Sequence, residues 1–197
     1  GTPKLEAQGE YDASTQTYRL SFKQSLKAHA KYPNLKAVPI PVALALFNAK
    51  TGEQYVLQSE ALVENGVKDG VYLFDTDEAT IEFKGVTEKP IASLLRNFSA
   101  PVNLEFNYSD EELAFLLQYE TNGFNKWQAT QTLLERILLN GHDAKVYLNA
   151  IQQTLPAVIA KDPLLASRLF DVPTEGYLGS RIDTEYNPLI IHEKREV

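Results

Sequence analysis

The run His192-Glu193-Lys194-Arg195-Glu196 comes within one residue of a zinc-binding signature, H-E-x-x-H. In that signature two imidazoles one helical turn apart ligate a single zinc, and the Glu between them activates water. Here Glu196 stands where the second imidazole belongs. A His/Glu pair can bind metal, but "HEKRE" is equally the pattern of a solvated helix face, and that reading carries more weight. The other two histidines, His29 and His142, fall in a polar loop and in a helix-to-helix turn. Neither has a His or a carboxylate at ligand spacing on a common helical face, so both are expected at the surface.

The remaining candidates are weaker. There is no G-x-G-x-x-G, no P-loop and no G-x-S-x-G. Glu111 and Glu112 belong to the first turn of a helix, where the dipole favours negative charge. Asn97-Phe98-Ser99 and Asn107-Tyr108-Ser109 match the glycosylation pattern, which is common by chance. Trp127 reads as a core anchor rather than a ligand platform. The sequence therefore assigns no catalytic, no cofactor-binding and no metal residue.

Composition narrows the classes further. The 197 residues carry a formal net charge of −7, with no dense cluster of Lys and Arg, which argues against a nucleic-acid partner. No apolar run reaches membrane-spanning length, and the first residues lack a signal-peptide pattern. The absence of Cys removes disulfides and thiolate metal sites and fits a reducing compartment, so the expected location is cytoplasmic. There is no Met, the chain opens at Gly1, and it closes at Val197 inside a helical-looking pattern. The expectation is a segment of a longer protein, with Leu189, Ile190 and Ile191 its likeliest uncovered apolar group and the stretch from about 172 its least stable part.

The elements divide the chain in two. In the first half "KLEAQGEY" and "QTYRLSF" read as strands, the second with Tyr18, Leu20 and Phe22 on one face. "VPIPVALALF" reads as a strand buried on both sides, with Pro39 and Pro41 at its entrance. "NAKTGEQ" is a turn leading to "YVLQ", and "GVYLFD", "ATIEFKG", "SLLRNF" and "VNLEFNY" continue the series. Seven or eight short strands imply an immunoglobulin-like antiparallel β-sandwich over 1–107. The second half, 108–197, reads as an antiparallel α-helical array, unfinished at its end. Ser109 and Glu112 form a capping box, with Tyr108 and Leu113 placed for a hydrophobic staple. The first helix is expected to end near Asn122-Gly123, with Asn125 and Gln128 repeating the cap signal for a second that runs to Asn140-Gly141. Asp143 is placed to cap a third, with Tyr147, Ile151 and Leu155 on its inner face. Asp162-Pro163 and Asn187-Pro188 each put a capping side chain before a Pro at the first helical position. The fold class is thus α+β as a two-part chain.

One block carries a resemblance. "FSAPVNLEFNYSDEELAFLLQYETNGFNKWQATQTLL" is similar to the corresponding region of the bacterial aminopeptidase N family, alanyl aminopeptidases of the gluzincin class of zinc metallopeptidases. The matching residues include Phe98, Ala100, Pro101, Ser109, Asp110, Leu113, Phe115, Phe124, Trp127 and Leu134. The opening "GTPKLEAQGEYDASTQTYRLSFKQ", the hairpin "VPIPVALALFNAKTGE" and "DPLLASRL" resemble further stretches, so the likeness spans the whole chain.

The resemblance implies a non-catalytic scaffold segment of a zinc aminopeptidase: its internal sandwich and the first helices of its C-terminal domain. The parent would hydrolyse N-terminal residues from peptides. The family's zinc motif and its amine-binding G-x-M-E-N are both absent here, so this segment alone is not expected to be an enzyme or to bind a cofactor; zinc belongs to the parent's catalytic domain. The implied partners are that catalytic domain, the remaining helices and the parent's peptide substrates, with no nucleic acid and no membrane. The short joint at Asn107–Ser109 would position the helical domain over the catalytic cleft. The alternative is an independent sandwich module binding protein or carbohydrate, with a helical appendage. A small metalloenzyme centred on "HEKRE" ranks last.

Overall fold

A computed structural model describes residues 2–25, 36–57 and 66–169. The chain divides into two compact units, Gly1–Tyr108 and Ser109–Val197.

The first unit is a β-sandwich. Its strands are β1 (Lys4–Asp12), β2 (Thr17–Ser25), β3 (Ile40–Asn48), β4 (Val67–Lys68), β5 (Val71–Phe74), β6 (Glu78–Phe83), β7 (Pro90–Leu94) and β8 (Asn103–Phe106). They form two four-stranded sheets, β6-β2-β1-β8 and β4-β5-β3-β7. Pairing is antiparallel except where β8 runs parallel to β1, Lys4 beside Asn103 and Ala7 beside Phe106. Alternation in β2 turns Tyr18, Leu20 and Phe22 into the core with Leu5, Val42, Leu44, Phe74 and Phe83. Phe22 stacks on Tyr72, with ring centroids 5.7 Å apart. β3 is buried at four consecutive positions, Leu44–Phe47, as expected of a strand covered on both faces. Pro41 lies inside β3, opposite Leu73 of β5. β7 begins to pair with β3 only at Leu44, so the side of the strand on which Pro41 lacks an N–H has no ladder to break.

Local chemistry shapes the turns. Asp12 Oδ1 accepts from the N–H of Ser14 at 2.9 Å and of Thr15 at 3.4 Å, closing the β1–β2 hairpin. Asn48 Oδ1 accepts from Lys50 N–H at 2.9 Å, and Gly52 follows at φ 75°.

Two strand expectations fail. "YVLQ" is not a strand: the isolated bridge to Phe47 is made by Gln54, just before it, and Tyr55–Leu57 is loop, while Gln58 lies outside the described residues. "SLLRNF" stops being a strand at Leu94. Leu95, Asn97 and Phe98 take left-handed φ of 53°, 55° and 53°, and Arg96–Phe98 forms a 3-10 turn. The reason lies across the sheet: the Ser99 hydroxyl accepts the Ala43 N–H at 3.1 Å, so a side chain satisfies the row of β3 that β7 serves from Leu44 onward. Val67–Lys68 is a strand of two residues, too short to show a period in the sequence.

The second unit is helical: α1 (Asp110–Tyr119), α2 (Gly123–Asn140), α3 (Lys145–Lys161) and α4 (Pro163–Leu169). The capping box is present. Ser109 Oγ accepts from Glu112 N–H at 3.1 Å, and Glu112 Oε1 accepts from Ser109 N–H at 2.9 Å. α1 buries Leu113, Ala114, Leu116 and Leu117. It ends earlier than expected, at Tyr119, and Asn122-Gly123 opens α2 instead. Asn122 is extended, with φ −77° and ψ 117°, and its Oδ1 accepts from Asn125 N–H at 3.1 Å, so it is an N-cap. Asn125, offered as a cap, is a buried residue inside α2, and Gln128 also lies within the helix. The other end of α2 agrees with the sequence: Gly141 is left-handed at φ 67°. Asp143 Oδ1 accepts from Lys145 N–H at 2.9 Å, and Asp162 Oδ1 from Leu165 N–H at 3.0 Å. On α3, among the described side chains, Ala150 and Thr154 are buried, while Tyr147, Ile151 and Leu155 are half-buried beside them. Thr130 and Thr154 satisfy their buried hydroxyls by donating one turn back, to Lys126 O and Ala150 O.

Candidate functional site

His29, His192, Glu196, Asn187 and the Leu189–Ile191 group all lie outside the described residues. Of the three histidines only His142 can be placed. It is half-exposed, as a surface residue should be, but it is not isolated. Its Nδ1 stands 2.7 Å from Asp110 Oδ2, while Arg136 Nη1 donates to Asp110 Oδ1 at 2.9 Å. Asp110 opens α1, and Arg136 and His142 sit at the end of α2, so the pair of helices runs antiparallel with acid at one terminus and base at the other. Each charge lies where the helix dipole favours it. Burial pushes the Asp110 carboxyl up, but the hydrogen bonds from Arg136 and His142 outweigh it and leave it below the ordinary 3.8.

This cluster is a poor metal centre. One carboxylate is shared with a guanidinium, and among the described residues no three His, Asp or Glu side chains converge to hold an ion. The described residues do not fit a zinc site, and no hydrolytic step can be derived through them.

Other sequence candidates fall as follows. Glu111 and Glu112 occupy the first turn of α1. Asn97 sits in the left-handed turn, and Ser99 is engaged with Ala43. Ser109, the third residue of the second glycosylation pattern, caps α1. Trp127 is a correction: it lies on the outer side of α2, 36% exposed, with its ring centroid 6.1 Å from that of Phe124. Its neighbour Lys126 is buried instead, at 7%. The helix turns this way because the last carbonyls of α1 require a donor: Lys126 Nζ donates to Leu117 O at 2.6 Å and to Gln118 O at 3.1 Å.

The sandwich carries a cleft of about 490 Å³ lined by Leu44, Gln54, Val56, Asp69, Arg96 and Asn97, among others. Tyr55 also lines it, but its hydroxyl is engaged by both the carbonyl and the N–H of Glu88 at 3.1 Å. Among the described lining residues there is neither a histidine nor a serine.

A two-sheet sandwich followed by a helical array is the class of fold that the described residues define. Residues 1–107 match the family described as DUF3458, a domain of unknown function with an Ig-like fold, and residues 110–197 match DUF3458_C, described as ARM repeats. The chain belongs to this family. It is 29% identical to Aminopeptidase N of Escherichia coli (strain K12), over all of this chain and 23% of that protein. It is 35% identical to Aminopeptidase N of Haemophilus influenzae, over 70% of this chain and 15% of that protein. The chain thus spans under a quarter of the length of these relatives. Among solved structures, Legionella pneumophila aminopeptidase A in complex with aspartic acid is similar over 100% of this chain and 21% of its own, with a TM-score of 0.76 and 23% identity. That likeness speaks to the fold.

Proposed function

We propose that this chain is a non-catalytic scaffold segment of a zinc aminopeptidase, an enzyme that hydrolyses N-terminal residues from peptides in the cytoplasm. The observation that carries the proposal is the match to Aminopeptidase N over the whole chain but only 23% of that relative. The activity then belongs to other parts of the parent. In this reading no residue of the present chain is catalytic or binds metal; its partners are the parent's catalytic domain and further C-terminal helices.

The task of the segment, in the same proposal, is to position the helical unit over the catalytic cleft. Support comes from the joint. β8 ends at Phe106 and the N-cap is Ser109, leaving Asn107 and Tyr108 as the only residues between. Tyr108 is itself held on the sandwich side: its hydroxyl donates to Ala92 O, and its ring meets Phe106 edge-on with centroids 4.5 Å apart. Ser109 is held on the other side by the capping box. The joint therefore holds no Gly- or Ser-rich spacer of the kind that makes a flexible linker.

The test is a Gly-Ser spacer inserted between Asn107 and Tyr108 of the full-length parent. The expected outcome is altered kcat/KM or altered selectivity between short and long peptides, with zinc content unchanged. Wild-type kinetics on both lengths would reject the positioning role. Aminopeptidase activity in the isolated 197-residue chain would reject the scaffold reading itself.

A further inference from the structure

The corner between α1 and α2 is closed in an unusual way. α1 ends at Tyr119 without a left-handed residue, since Glu120 is extended at φ −61° and ψ 130°, and it has no basic residue in its own last turn. The carbonyls of a last turn have no intrahelical donor. At Leu117 and Gln118 that donor comes from the next helix, as the buried amine of Lys126 at 2.6 and 3.1 Å. Lys126 thus performs from α2 what a glycine cap or a terminal lysine performs elsewhere. Among the described residues two charged groups act on it. Glu120, 1% exposed, favours the ammonium, though its Oε1 also accepts from Asn122 N–H at 2.8 Å. Lys161, the last residue of α3, disfavours it.

We propose that Lys126 is a proton-sensitive latch on the α1–α2 corner, a buried amine that holds the corner shut more firmly when neutral than when charged. A neutral amine keeps two N–H donors, enough for both carbonyls. What it sheds with its proton is the cost of an ion held away from water with Lys161 near. Burial above all, with Lys161 adding to it and Glu120 opposing, pushes the amine from 10.5 to about 8. Because the closed corner has the lower pKa, the opened corner binds more protons between those two values. The closed state therefore gains as pH rises through 8 toward 10.5, and has none of this gain at pH 7, where both states carry the proton. An exposed capping lysine behaves in the opposite sense, since deprotonation only removes its attraction for the helix terminus.

The experiment is amide hydrogen exchange across 117–126 in the full 197-residue chain, corrected for base-catalysed intrinsic rates. Protection in the wild type is expected to rise roughly tenfold between pH 7 and 9. Lys126→Arg keeps a permanent charge and both carbonyl contacts, and Lys126→Met has no charge at all. In each, protection is expected to stay level over that range, even if its absolute value falls. A flat wild-type profile, or a rise that persists in either variant, overturns the latch. So does a side-chain amine that titrates by NMR near the ordinary lysine value.

Discussion

The ring of Tyr18 lies across Gly9, so close that a β-carbon built on Gly9 would stand 1.9 Å from the Tyr18 hydroxyl oxygen and 2.7 Å from the ring carbon bearing it. The two residues sit on neighbouring strands, where Tyr11 pairs with Tyr18 and Gly9 with Leu20. Glycine normally weakens a strand interior. Here it opens the space that lets a large ring, 4% exposed, lie flat along the sheet.

Gly9→Ala is therefore expected to destabilise the sandwich by about 1–3 kcal/mol, the usual cost of overpacking a site whose neighbour cannot swing away. Tyr18→Phe does not rescue it, because the ring carbon alone is already too near. Urea unfolding followed by the β-sheet circular dichroism signal measures both. An unshifted midpoint in Gly9→Ala would show that Tyr18 is free to move.

Gln24 ties three backbone groups together. Its Nε2 donates to Val38 O at 3.0 Å and Thr76 O at 2.8 Å, and its Oε1 accepts from Val38 N–H at 2.9 Å. At 7% exposure, water does not replace these bonds readily. Gln24→Leu leaves two carbonyls and one N–H unsatisfied, with an expected cost of about 2–3 kcal/mol. Gln24→Glu keeps the acceptor and loses both donors, so it too is expected to destabilise, and faster exchange at the Val38 amide should appear only in the Leu variant. Equal exchange at Val38 in both variants would contradict this division of roles.

Much of this was legible in the sequence because the signals were local. The alternation of Tyr18, Leu20 and Phe22 needs only its own strand, and the Ser109–Glu112 box needs only four residues. Asn122-Gly123 is ambiguous in the sequence because both residues serve at either end of a helix; only the hydrogen bond from Asn125 N–H decides. Trp127 reads as a core residue because polarity alone sends tryptophan inward, and the demand of the α1 carbonyls, which draws Lys126 in, does not show in the α2 sequence. The partner of His142 is not legible in the sequence because Asp110 is 32 residues away, on another helix. "SLLRNF" has strand-like composition, but its fate was set by a serine hydroxyl taking a backbone partner across the sheet.

The Asp110 cluster gives the last prediction, an acid-dependent one. Asp110 lies at the start of α1 with Arg136 and His142 both on its carboxylate, and the Arg136 carbonyl in turn accepts the His142 N–H at 3.2 Å. The carboxyl is held below its ordinary 3.8 in the folded chain. On acidification the unfolded chain takes up this proton first. The stability contributed is therefore fully present above the ordinary carboxylate range and is lost as pH falls through the lowered folded value. Asp110→Asn keeps the shape and removes the charge. It is expected to cost about 2 kcal/mol at pH 7, the typical weight of hydrogen bonds to a charged group. The gap to wild type should narrow steadily below pH 4. Trp127 is the sole tryptophan and lies on α2, so its fluorescence follows unfolding of the helical unit directly. A gap that stays constant from pH 7 to pH 3 would mean that the Asp110 carboxylate contributes no charge-dependent stability.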